Sequence, residues 1–164
     1  MKILSNSSSI TKKIAHLLAQ EISKKRFAKK QGLIIGLQGE LGSGKTTFIQ
    51  GFAKGLGIKR NLTSPTFLII RNYKLLTTHH KLLYHIDCYR IKKIKELTVL
   101  GFKEIISKPA NLVLIEWAEK IKRILPKKMI WIEFEHGRKE NERIIRIGAR
   151  KYPPAGRQGI QHDY

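Results

Sequence analysis

Apolar residues recur along this chain in two rhythms, and the switches between them predict the order of its elements. From residue 9 to residue 27, Ile10, Ile14, Leu17, Leu18 and Ile22 fall on one face at helical spacing, with N-capping serines ahead of them. "GLIIGLQ" (32–38) is a short apolar run after a turn-forming glycine, which predicts a buried strand. Beyond the glycine-rich stretch "GELGSGKTTF" (39–48), "KTTFIQGFAKGLG" predicts a helix closed by Gly55 and Gly57. "FLIIRNYKLL" (67–76) and "KLLYHIDCYR" (81–90) are strand-like and separated by "TTHH", the spacing of an antiparallel hairpin with a loop. Residues 92–107 read as helical, in two short pieces broken at Gly101. "NLVLIEW" (111–117) is another apolar strand ending in an acid, and residues 117–125 give a short helix stopped by Pro126. "MIWIEFE" and "RIIRIGA" alternate and predict a final hairpin.

This order predicts an α/β fold in a single domain over residues 1–150, its mixed sheet parallel at the centre with antiparallel hairpins added, and helices on both faces. Residues 151–164 are rich in Pro, Gly and polar side chains with no period, and are expected to form a disordered tail. No internal repeat is visible.

The 164 residues fit one domain with a sizeable core. The formal charge of +21 changes the picture, because a basic surface of that size attracts nucleic acid or acidic protein faces at long range. Lys and Arg occur in almost every segment, so coding bias towards solvated lysine is an equal explanation. The single cysteine, Cys88, excludes an intrachain disulfide and reads as a small packed hydrophobe. The N-terminus lacks the apolar core of a secretory signal, and the apolar runs are far too short to span a bilayer. A cytoplasmic protein with no membrane partner is expected.

The chemistry concentrates in residues 39–47. Gly39, Gly44, Lys45 and Thr46 match G-x-x-x-x-G-K-[ST] without a mismatch, between a predicted strand and a predicted helix. Glycines let successive backbone N–H groups face one centre, and the helix N-terminus points its positive end there. Lys45 can then reach β- and γ-phosphates, Thr46 can ligate Mg²⁺, and Thr47 can contact the α-phosphate. Lys45 is expected to be solvated when no nucleotide is held. A dinucleotide fingerprint does not fit, since position 47 is Thr where a third glycine is needed.

A phosphate loop needs a further acid near its magnesium, usually at the end of a neighbouring apolar strand. Glu116 in "LVLIEW" occupies that position; the alternative is an ordinary strand-end carboxylate. Asp87 in "YHIDCYR" is a second candidate, sharing a strand face with His85 and Tyr89; the alternative is a surface pair with Arg90. Ser64 in "TSPTF" (63–67) is held extended by Pro65, and this turn could sense a γ-phosphate or simply begin a strand. His79, His80 and His85 lack a fourth ligand for a metal.

With the loop, "TSPTF", "YHIDCYR", "LGF" and "IEW" in this order, the sequence resembles the bacterial TsaE family (formerly YjeE), small P-loop ATPases of tRNA threonylcarbamoyladenosine synthesis. The resemblance runs from about Thr11 to about Arg146. It implies that Gly39, Glu40, Leu41, Gly42, Ser43, Gly44, Lys45, Thr46 and Thr47 hold ATP or ADP, with Trp117 close by and Thr11 and Arg138 approaching from the flanks. It implies Mg²⁺ on Thr46 and Glu116, with Asp87 assisting catalysis or the metal, and Lys45, Asp87 and Glu116 as the catalytic set. It also implies slow ATP hydrolysis alone and work with a complex of TsaB and TsaD, which transfers threonylcarbamoyl to adenosine 37 of tRNAs reading codons that begin with A. The nucleotide would then be a switch that resets the partner complex, and tRNA would be met through that complex.

The residues by themselves leave other classes open. A small-molecule or nucleoside kinase could use the same loop with Asp87 and Arg90 as acid, base and clamp, and would be recognised by a phosphorylated product. A basic nucleic-acid binder stabilised by nucleotide would be recognised by the salt slope of its RNA binding.

Overall fold

The computed structural model describes residues 1–24, 31–60, 62–65, 67–76 and 79–148. Seven strands form one sheet: β1 (Lys2–Ser5), β2 (Leu33–Gly39), β3 (Ile70–Lys74), β4 (Leu82–Asp87), β5 (Asn111–Glu116), β6 (Ile130–His136) and β7 (Arg143–Gly148). Their spatial order is β1-β7-β6-β2-β5-β4-β3. β2 pairs in parallel with both β5 and β6, and β4 in parallel with β5. The outer pairs β3–β4, β6–β7 and β1–β7 are antiparallel. The parallel centre and antiparallel hairpins expected from the pattern are present.

Burial on both faces explains why the central strands read as unbroken apolar runs. Successive residues of β2 enter opposite cores: Leu33, Ile35 and Leu37 pack under α1 (Ser8–Lys24) and α2 (Lys45–Gly55), while Ile34 packs on the other face. That second core holds Val113, Ile115, Leu97, Phe102, Ile121 and Leu125, beneath α3 (Ile94–Val99), α4 (Phe102–Ser107) and a 3-10 segment (Ala118–Ile124). The break between α3 and α4 falls at Gly101, and the 3-10 segment stops before Pro126, as the sequence implies. Cys88 is fully buried in this core, and desolvation pushes its thiol up to about 12, so it is a packing residue.

Three features depart from the sequence reading. The pattern omits β1, whose four residues form an edge strand with alternating exposure and pair with β7 from Lys2↔Arg146 to Ser5↔Arg143. The buried stripe of α1 is Thr11, Ala15, Ala19 and Ile22; Ile14 and Leu18 are partly buried beside it, and Ile10 (38% exposed) and Leu17 (53%) face outwards. The cause is close contact with α2. A Cβ at Gly51 would stand 2.3 Å from the Lys12 carbonyl oxygen, and one at Gly55 would stand 2.5 Å from that of His16. Small residues on both helices let the backbones touch, and this turns the larger apolar side chains of α1 away from the seam. Gly55 therefore belongs to the crossing and not to the cap; Leu56 caps α2, and Gly57 takes the left-handed turn beyond it (φ 84°). The expected end of the first helix at 25–27 and the expected tail at 151–164 lie outside the described residues.

Candidate functional site

The parallel strands deliver the site. β2 runs into the loop at Gly39, and α2 leaves it at Lys45. Gly39, Gly42 and Gly44 all have φ between 74° and 141°, a left-handed path that turns the chain back on itself without a Cβ clash. The turn is closed by the Ser43 N–H donating to the Glu40 carbonyl (3.2 Å), and Ser43 itself is buried. Such a loop, with a helix N-terminus behind it, presents N–H groups to an anion.

Lys45 is 5% exposed, which corrects the expectation of a solvated lysine. Its ammonium donates to the carbonyls of Gly39 and Glu40 (2.7 Å each) and lies 3.8 Å from the centre of the Trp117 ring. Burial lowers its pKa from the ordinary lysine value, against the opposing pull of Glu116, Glu119 and Asp87. Carbonyl oxygens and a ring face are neutral partners, so a phosphate chain entering the loop would compete well for this cation.

Glu116 and Asp87 are register partners at the C-terminal ends of β5 and β4. Glu116 is 2% exposed, and its two oxygens have separate partners: the Thr46 hydroxyl donates to Oε2 (2.7 Å), and His85 Nε2 meets Oε1 (2.8 Å). Asp87 accepts hydrogen bonds from the Ser64 hydroxyl and from the Tyr89 N–H (2.9 Å). The strand after "TSPTF" is thereby tied to the site: the Asp87 N–H donates to the Ile69 carbonyl (2.9 Å). Arg90 stacks over the Phe67 ring at 4.3 Å.

Trp117 follows Glu116 at φ 58°, uncommon for a bulky residue, and this turn redirects the chain from β5 into the 3-10 segment. Its ring packs 5.1 Å from Tyr89. Two residues on, Glu119 is raised in pKa by burial, with Lys45 and the Gly39 N–H pulling the other way.

Two cavities flank the loop. One of about 320 Å³ is bounded by Leu41, Lys45, Thr46, Ser64, Asp87, Tyr89, Glu116 and Trp117. The other, about 310 Å³, is bounded by Ser7, Ser8, Thr11, Asn141 and Arg143. Gly42, Gly44 and Thr47 line both, so the loop is their common wall. Thr11 reaches the loop because β1 anchors the chain ahead of α1, and its hydroxyl is paired with that of Ser5 (2.8 Å). Arg138 lines neither cavity; it stands exposed in the β6–β7 turn, which the Gly137 N–H closes on the Glu142 carbonyl (2.8 Å). Arg143, missed in the sequence because it reads as the first residue of a strand, donates instead to the Gly42 carbonyl through Nε (3.3 Å) and Nη2 (3.0 Å).

The donors fit a magnesium ion. Among the described residues no group of three or more His, Cys, Asp or Glu side chains could hold a metal, so a protein-only cage is absent there. Hydroxyl and carboxylate oxygens at Thr46, Glu116 and Asp87 suit an ion that takes its remaining ligands from water and phosphate.

A family model described as threonylcarbamoyl adenosine biosynthesis protein TsaE matches residues 5–145. The chain belongs to the TsaE family. A Rickettsia felis protein named tRNA threonylcarbamoyladenosine biosynthesis protein TsaE is 40% identical over 148 residues, 90% of this chain and 78% of that protein. The Bacillus subtilis TsaE is 38% identical over 154 residues, 93% of this chain and 89% of its own length. The crystal structure of Bacillus subtilis YdiB superposes with a TM-score of 0.66 at 34% identity, covering 88% of this chain and 82% of that one. The α/β, P-loop-type fold is thus shared with a solved relative, and this TsaE-family chain is tied to tRNA threonylcarbamoyladenosine biosynthesis. No helix among its described residues is long and apolar enough to cross a membrane.

Proposed function

We propose that this protein is a cytoplasmic ATPase whose nucleotide state acts as a switch on a TsaB–TsaD complex during threonylcarbamoylation of adenosine 37 in tRNAs that read codons beginning with A. The observation that carries the reading is the Thr46–Glu116 contact: hydroxyl and carboxylate meet at 2.7 Å where the phosphate loop opens into its cavity. ATP or ADP would lie along residues 39–47. Its terminal phosphates would face Lys45, Ser64 and Asp87 in one cavity, and its nucleoside would face Thr11 and Arg143 in the other.

Thr46 and Glu116 would hold Mg²⁺, with Asp87 beside them; a bound ion would draw charge from the terminal phosphates. Lys45 would exchange its two carbonyl partners for β- and γ-phosphate oxygens, gaining charge-assisted bonds in place of neutral ones. Asp87, its orientation held by Ser64 and the Tyr89 N–H, could orient the attacking water. Trp117 and Tyr89 would shield that side from bulk solvent.

The test is co-purification with the cognate TsaB and TsaD proteins, with and without ATP. Retention that depends on nucleotide supports the switch. Absence of any association in both conditions contradicts it. A phosphoryl-transfer screen yielding a phosphorylated small molecule would favour a kinase instead.

A further inference from the structure

His85 is fully buried in β4, two residues before Asp87, and nothing in the chemistry above uses it directly. Its position follows from the strand period. Leu83, His85 and Asp87 share the face of β4 that looks towards α2, and Leu83 belongs to the core beneath that helix. β5 runs parallel beside it, with Leu83 opposite Leu112 and Asp87 opposite Glu116. The His85 ring therefore reaches diagonally to Glu116, and Nε2 lies 2.8 Å from Oε1.

We infer that His85 is a positioning residue for the candidate metal carboxylate: it fixes the Glu116 side chain so that Oε2 stays with Thr46. A carboxylate oxygen accepts hydrogen bonds, so in this pair His85 serves as the donor through Nε2–H. Nδ1 finds no partner among the described residues. A ring nitrogen left without a hydrogen bond in the interior carries a desolvation cost. A leucine would fill this site without that cost. The histidine is accounted for by what it does to Glu116, which is itself only 2% exposed. Without the Nε2 bond, Glu116 can turn about its side-chain torsions and Oε2 is no longer held on the Thr46 hydroxyl. Partners of this kind orient ligating groups, and their loss typically lowers metal affinity by about 10–100-fold.

This rests on the proposed ATP·Mg²⁺ reading, and the experiment separates the two. Titrate ATP into wild type, His85→Leu and His85→Gln, once with Mg²⁺ and once with chelator, and follow melting of each protein without ligand. Gln places an amide N–H near the position of Nε2, so it restores the donor where Leu cannot. The expected result is a Mg²⁺-dependent affinity gain in wild type that drops about tenfold or more in His85→Leu, recovers largely in His85→Gln, and leaves affinity in chelator unchanged. If His85→Leu is folded and keeps the full Mg²⁺ gain, the assignment is overturned. Equal losses with and without Mg²⁺ would make His85 merely structural and overturn it as well. Should His85→Leu fail to fold, His85→Gln decides: loss of the Mg²⁺ gain in that folded variant overturns the donor role. A wild type that binds ATP equally with and without Mg²⁺ overturns the site reading itself, and this inference with it.

Discussion

Replacing Gly51 by Ala should loosen the seam that holds one wall of the proposed nucleotide site. The added methyl would stand 2.3 Å from the Lys12 carbonyl oxygen and 2.5 Å from Lys12 Cα. Both neighbours are backbone, so no side chain can rotate aside; α1 must retreat by about 1 Å to restore ordinary contact. Overpacking costs about 1–3 kcal/mol, and a clash with rigid backbone falls in the upper half of that range, about 2–3 kcal/mol. Ala is a better helix former than Gly by about 1 kcal/mol, which offsets part of it. The net loss is about 1–2 kcal/mol, and at about 2–4 °C per kcal/mol for a chain of this size the melting point should fall by roughly 2–8 °C. Thr11 immediately precedes Lys12, so the same shift moves its hydroxyl relative to Gly44 and Thr47, and ATP should bind several-fold more weakly. Thermal melting by circular dichroism and ATP titration on one preparation read both effects. A melting point equal to or above wild type would refute the close helix contact. Unchanged ATP affinity despite lower stability would separate Thr11 from the site.

Lys45→Ala should abolish productive ATP binding and also lower the melting point by a few degrees, because the Gly39 and Glu40 carbonyls lose a buried donor worth about 1–3 kcal/mol; unchanged affinity in the folded variant would falsify the phosphate-loop assignment. Glu116→Ala should erase most of the affinity difference between ATP with and without Mg²⁺, as titration in chelator would reveal; if the difference survives, the metal role passes to Asp87. Glu119 has a folded pKa raised by burial, so its ionisation opposes folding above the carboxylate range. Glu119→Gln should therefore be more stable than wild type near neutral pH, with the gap closing as pH falls through that range; denaturant melts at several pH values check this, and a gap that widens in acid contradicts it.

The parts of this account that were legible in the sequence are those set by local period or by a dense motif. Ile34 and Ile35 belong to one apolar run because both faces of β2 are covered, and "LVLIE" ends in its acid where β5 leaves the sheet. From there, Thr46 meeting Glu116 needs only that β2 and β5 be neighbours, which the βαβ logic of a phosphate loop supplies. What was not legible depends on contacts distant in sequence. β1 is four residues long and is a strand because β7 pairs with it. The rotation of α1 follows from Gly51 and Gly55 on another helix, and hydrophobicity alone favoured Ile10 and Leu17. Arg143 reaches Gly42 across 101 residues of chain, so no spacing rule points to it, whereas Arg138 sits in the turn that carries the more obvious charge run. The burial of Lys45 is hidden for a similar reason: its partners are carbonyls of its own loop and a ring from beyond β5.

The charge of +21 enters the account only through docking. Steering by charge weakens as salt shortens the Debye length from about 10 Å at 0.1 M. Partner-stimulated turnover should then fall with salt more steeply than basal turnover, while parallel curves would assign the charge no role in docking.

The central claim is that nucleotide held in this loop serves a partner, and steady-state ATP turnover with increasing amounts of the cognate TsaB–TsaD complex tests it most directly. Slow turnover alone, a saturable rise with the complex, and no rise in Lys45→Ala are expected. Turnover that stays at the basal rate at saturating complex, in a protein shown to bind ATP, would contradict that claim.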